Sequence, residues 1–115
     1  MQITPLTLKQ VVENCTGTYQ TTRLCTWGSM VSGYVHDTTY NVQLSVTSLY
    51  DTILFIEGHR LDFSGNLDSN NYFFYYPASG GGASATIDST FNSIQFGYWD
   101  GGLGGGSGCN YSGHK

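Results

Sequence analysis

Tyr40-Asn41-Val42-Gln43-Leu44-Ser45-Val46-Thr47 alternates apolar or aromatic and polar residues without an error. That period of two places successive side chains on opposite faces of a strand. The pattern predicts Tyr40, Val42, Leu44 and Val46 toward a core, and Asn41, Gln43, Ser45 and Thr47 toward solvent. One dry and one wet face is the signature of an antiparallel sheet. Working outward, the same alternation occurs in Arg60–Phe63, Ala83–Ile87 and Ile94–Tyr98.

Turn chemistry punctuates these runs at Trp27-Gly28-Ser29, Glu57-Gly58, Ser64-Gly65-Asn66, Ser79-Gly80-Gly81-Gly82 and Asp100-Gly101-Gly102, at the short spacing expected of sandwiches and barrels. Adding Thr18–Arg23, Met30–Val35 and a last strand at Cys109–Tyr111 gives about eight strands in an antiparallel meander. Ahead of them, Thr7-Leu8-Lys9-Gln10 matches a capping box, and Leu8, Val11 and Val12 share a helical face. A short helix over residues 6–14 is expected, followed by strands over 17–112.

Composition supports this reading. Aromatic residues make up 15% and charged residues only 10% of the 115-residue chain, against about 25% charged in ordinary domains. Tyrosine and threonine fit a pleated surface, and the strongest helix formers are scarce. The length suits one domain, residues 1–115, all-β, closed into a small barrel or sandwich.

Two strands depart from alternation. Ile53-Leu54-Phe55-Ile56 and Tyr72-Phe73-Phe74-Tyr75-Tyr76 are apolar on both faces, so a helix, a neighbouring subunit or a ligand is expected over their outer side.

A resemblance joins these observations at two places. Gly17-Thr18-Tyr19 after a short helix resembles the opening of lipocalin-like barrels. Gly101-Gly102-Leu103-Gly104-Gly105-Gly106, with Tyr111, Gly113 and Lys115, resembles the ending of small uncharacterised exported bacterial β-proteins. The resemblance implies export and a small barrel, and no particular chemistry.

Net charge is −4 with four Lys and Arg residues, which gives no cationic footprint for a phosphate backbone or an anionic bilayer. Neither nucleic acid nor membrane insertion is expected. Low lysine and three cysteines read as a secreted or periplasmic protein, with Met1 standing in place of a removed signal peptide.

The candidate chemistry is sparse. The run Gly101–Gly108 lacks both nucleotide-binding glycine patterns and a following helix, so a glycine-rich hairpin with close backbone approach is expected there. Asp62, Ser64, Asn66, Asp68 and Asn70 alternate as oxygen donors, but Phe73 stands where a calcium loop needs a bidentate Glu. A solvated turn is the simpler reading, and neither metal nor cofactor is expected. Glu57, His59 and Arg60 are separated by a turn at Gly58, His36-Asp37 and His114 are isolated, and no catalytic triad assembles. The chain therefore reads as a non-enzymatic binding or interaction domain for an unknown protein or small ligand.

Aromatic residues carry the site expectation. Tyr72, Phe74 and Tyr76, with Trp27 and Trp99, are the candidate ligand-binding residues. The opposite-face pair Phe73 and Tyr75 is the alternative lining. A deep apolar cavity would favour a small-molecule or glycan carrier, and a flat aromatic patch an adhesion or inhibitor module.

In a closed meander the first strand lies beside the last. Cys15 precedes the first strand and Cys109 lies in the last, which predicts a Cys15–Cys109 disulfide with Cys25 left over. The alternative is three reduced thiols.

Overall fold

The computed structural model describes residues 6–68, 71–78, 81–102 and 105–115. One helix, α1 (Leu8–Cys15), precedes eight strands: β1 (Gly17–Ser29), β2 (Gly33–Tyr50), β3 (Ile53–Ile56), β4 (His59–Asp68), β5 (Asn71–Ala78), β6 (Gly81–Asp88), β7 (Ser93–Gly102) and β8 (Gly105–His114). Each strand pairs antiparallel with its neighbour in sequence, and β1 also pairs with β8, from Gln20 opposite His114 to Ser29 opposite Gly105. The sheet closes into a ring, an all-β barrel in the order β1 to β8.

Alternation places the core inside this ring. Tyr19, Leu44, Val46, Leu54, Ile56, Leu61, Phe74, Ala85, Ile87, Ile94 and Phe96 belong to one buried cluster. Edge-on packing of Phe63 against Phe74 (5.4 Å) and the tilted Phe96–Tyr111 pair (5.5 Å) fill it further. An eight-stranded barrel has room for about this many side chains and little else.

The helix starts where its capping box requires. Gln10 N–H donates to Thr7 Oγ1 (3.2 Å), and Thr7 N–H donates to Gln10 Oε1 (2.9 Å). Val11, Val12 and Cys15 join the barrel core, so the helix plugs the end of the ring where β1 begins. Its last carbonyls are satisfied from β1 and from the residue after β8: Tyr19 Oη donates to Cys15 O (2.8 Å) and Lys115 Nζ to Asn14 O (2.9 Å). Nothing in this packing lays α1 over the outer side of β3 or β5, where Phe55 and Tyr75 stay exposed.

Leu44 and Val46 are buried as their alternation requires, but Tyr40 is 71% exposed. The reason is a bulge. Thr21 pairs with Val42 and Arg23 with Thr39, so β2 holds one more residue than β1 across this step. Asn41 absorbs the extra residue at φ 59°, a left-handed conformation that Asn tolerates. Beyond the bulge the parity flips, and Thr39, Asp37 and Val35 share the face of Arg23, Cys25 and Trp27.

The expected turn at Trp27–Ser29 is strand, and the chain reverses later, at residues 30–32, leaving Met30 outside any strand. Glu57-Gly58 does form a tight two-residue turn, with both φ values positive (51° and 78°). β3 and β4 therefore reverse early. Beyond them β2, β1, β8, β7, β6 and β5 continue as a taller, curved wall.

The cysteine expectation is corrected. Cys25 and Cys109 form the disulfide, and Cys15 is a buried free thiol. The seam is the expected one, but β8 runs on to His114, so Cys109 lies opposite the middle of β1 and not its start.

Candidate functional site

Register aligns the outward residues of neighbouring strands into rows. One row runs Tyr75, Ser84, Gly97, Asn110 and Leu24; the next, toward the tall end, runs Pro77, Gly82, Trp99, Gly108 and Thr26. Small residues at the middle of both rows leave a trough of about 570 Å³ on the outer face. Each has a large residue beside it: Tyr75 on one flank and Trp99 on the floor's edge.

Glycine makes that depression possible. A Cβ on Gly108 would come within 2.7 Å of the Trp99 ring, one on Gly106 within 2.9 Å, and one on Gly101 within 3.2 Å of its Nε1. The indole is laid flat over these glycines. Gly97 likewise makes room for the Asn110 amide, which a Cβ would overlap. The glycine-rich segment is thus a bed for one aromatic side chain, as close backbone approach in a strand implies.

Trp99 nevertheless remains 41% exposed and Tyr75 42%, each presenting a ring to solvent. Tyr75 is propped from behind by Phe73, stacked at 6.0 Å and 17°. Strand spacing puts the two backbone positions about 12 Å apart, two strands across and one residue pair along. The Ser84 hydroxyl stands between them, and the Asn110 amide and Thr26 hydroxyl continue the trough on the far side of Trp99; no residue lining the trough carries a charge. Such a surface can stack an apolar ring face and hydrogen-bond neutral polar groups.

Of the other expected site residues, Tyr76 shares a rim depression of about 410 Å³ with Trp99, His59 and Arg60, and the rest are dispersed. Phe74 is fully buried in the core, Tyr72 is half-buried and stacks on Phe91 (5.5 Å, 7°), and Tyr76 sits exposed at the barrel rim with Arg60 6.0 Å from its ring centroid. Phe74 fills the interior between Tyr72 and Tyr76, and Trp27 lies on the β1–β2 hairpin opposite Val35 and Ser107. Of the alternative pair, Tyr75 enters the trough.

His59 stacks on Tyr98 at 4.5 Å. Asp62 pairs with Arg60 (3.3 Å) on the exposed side of β4, Asn66 and Asp68 belong to the strand itself, and Asn70 lies outside the described residues. Among the described residues no three His, Cys, Asp or Glu side chains converge to hold a metal ion.

The titratable groups with displaced pKa values are structural. Burial pushes the Cys15 thiol up to about 12, against the nearby Lys115 charge. Burial also raises Tyr19 and Tyr111, the latter opposed by Arg23. At Asp88 slight desolvation is outweighed by hydrogen bonds from Ser93 N, the Thr90 hydroxyl and Asn92 N, which hold the carboxyl down to about 2.

Alternation in Ala83–Ile87 and Ile94–Tyr98 already assigned Ser84 and Gly97 outward, but only the register shows that they adjoin. No family model, curated protein or solved structure matches the chain.

Proposed function

We propose that this protein is a non-enzymatic, exported binding domain that takes a glycan in the outer trough between Tyr75 and Trp99. The observation that carries the reading is the lining: two supported aromatic rings flank small residues, with Ser84, Thr26 and Asn110 as neutral hydrogen-bonding groups and no charge. A sugar offers the complementary surface, an apolar ring face edged by hydroxyls. The filled barrel interior argues against an internal carrier pocket, because Phe74, Phe96 and Leu54 occupy it. Export is supported by the Cys25–Cys109 disulfide, a bond that persists in oxidising compartments.

The test is a fluorescence titration of a Trp27→Phe protein, in which Trp99 is the remaining indole, against a panel of neutral oligosaccharides. Saturable change in Trp99 emission is expected for at least one class, and Tyr75→Ala should weaken it at least tenfold. A panel without a binder, or binding indifferent to Tyr75→Ala, overturns the proposal.

A further inference from the structure

We propose that the free edge of β2, from Gly33 to Thr39, receives an extended peptide segment carrying a basic side chain, which adds to the sheet as a further strand. This inference does not rest on the glycan reading, since the edge lies outside the trough.

The edge follows from unequal strand lengths. β3 pairs with β2 only from Val46 to Tyr50, because the Glu57-Gly58 turn reverses the chain early. Among the described residues, the portion of β2 before Val46 pairs with β1 alone. Gly33 to Thr38 are all exposed. The bulge at Tyr40-Asn41 breaks the register, so the straight, usable edge is Gly33–Thr39.

Which backbone groups face outward can be read from the disulfide seam. The Cα atoms of Cys25 and Cys109 are 4.0 Å apart, which marks a narrow, non-hydrogen-bonded antiparallel pair. Cys25 therefore turns its N–H and C=O toward β2, where it pairs with Asp37. Backbone groups alternate along a strand, so Val35, Asp37 and Thr39 point to β1. Tyr34, His36 and Thr38 turn their N–H and C=O to the open edge.

Natural sheets guard such an edge with lysine, proline, a bulge, an inward-pointing charge or a covering segment; here the bulge ends the edge and Asp37 charges it, which leaves the edge open to a strand that complements that carboxylate. Gly33-Tyr34-Val35-His36-Asp37-Thr38-Thr39 has neither lysine nor proline and is rich in β-branched and aromatic residues. Main-chain pairing with an added strand is the recognition mode that such an edge supports.

Charge selects the occupant. Asp37 is exposed and stands between the bonding residues His36 and Thr38, so it meets the opposite residue across a narrow pair, where side chains are closest. The chain as a whole carries −4. A basic residue opposite Asp37 is favoured on both counts. Two-fold pairing of the edge with itself brings the two Asp37 carboxylates together in the register centred on that residue, and every register pairs two chains of charge −4, so a second copy is disfavoured.

The experiment uses capped, fluorophore-labelled seven-residue peptides of alternating Thr and Val with Lys, Ala or Glu at the centre, read by fluorescence polarisation. The Lys peptide is expected to bind at least tenfold more tightly than the Glu peptide. His36→Pro deletes one outward N–H without touching the β1 ladder and should weaken binding at least tenfold. His36→Ala keeps that N–H and should bind as the parent does. Both variants lose the 2.9 Å contact between His36 Nδ1 and Thr26 Oγ1, so their difference isolates the backbone group. Melting curves check folding, and Thr38→Pro replaces His36→Pro should the latter unfold. Equal affinity for the Lys and Glu peptides, no binding of any peptide, or undiminished binding by the folded proline variant overturns the proposal. So does self-association by light scattering that the proline variant abolishes, since that outcome makes the occupant a second copy.

Discussion

Cys25 and Cys109 face each other directly across the β1–β8 seam, bonded through their sulfurs at a sequence separation of 84. The bond ties the two strands that close the ring, and it encloses most of the chain in one loop. Replacing both cysteines by alanine should lower stability by about 4 to 5 kcal/mol in the chain-entropy treatment of a loop this long. Urea unfolding of the double variant beside the oxidised parent checks it; an unchanged midpoint would remove the disulfide from the account of stability.

Cys15 should be silent toward thiol reagents in the native protein. It is fully buried and burial raises its pKa to about 12, so almost no thiolate exists at neutral pH. Maleimide labelling followed by intact mass should show no adduct until denaturant is added, then one. Rapid native labelling would mean that α1 does not stay in the barrel end.

Leu44 and Tyr40 began as equivalent positions of one alternating stretch and should now respond differently. Leu44→Ala should cost roughly 2 to 5 kcal/mol through lost burial and the cavity left behind, whereas Tyr40→Ala should stay within about 0.5 kcal/mol. Equal losses would place Tyr40 in the core and the bulge elsewhere.

Gly108→Ala should disturb Trp99 specifically. The added methyl would meet the indole and the Tyr98 carbonyl, and overpacking of this kind costs about 1 to 3 kcal/mol. In a Trp27→Phe background, Trp99 emission should shift toward the red as the ring lifts off its glycine bed. An unaltered spectrum with unaltered stability would contradict the packing described.

The Asp88 turn gives a pH dependence with a definite sign. Its carboxyl titrates near 2 in the fold against an ordinary 3.8, so its stabilising contribution is complete above the ordinary value and disappears as pH falls through the lower one. Asp88→Asn should flatten the loss of melting temperature across that window relative to the parent, and parallel curves for the two proteins would refute the assignment.

The sequence foretold several elements for reasons that are local. Thr7 and Gln10 cap the helix through contacts three residues apart, Glu57-Gly58 makes its turn alone, and Leu44 and Val46 obey a period of two. What escaped is what depends on register between strands. Tyr40 was misplaced because one extra residue near Asn41 reverses the facing of everything before it. The disulfide was misassigned because the extent of β8 past Cys109 decides which residue of β1 lies opposite. The trough was hidden for the same reason: Tyr75, Ser84, Gly97 and Asn110 are scattered along the chain and meet only by cross-strand alignment.

Seven of the eight strand pairings join neighbours in sequence, and one joins the first strand to the last. Neighbouring hairpins can form early, while ring closure must await the C-terminal strand and bear the entropy of a nearly chain-long loop. During synthesis Cys15 and Cys25 emerge long before Cys109, and for that interval each is the other's available partner. The cluster that buries Cys15 draws on Ile94, Phe96 and Tyr111 of the last two strands, so the same closure that brings Cys25 to Cys109 also seals Cys15 under α1, and in the finished ring that thiol is out of reach of exchange with the bond.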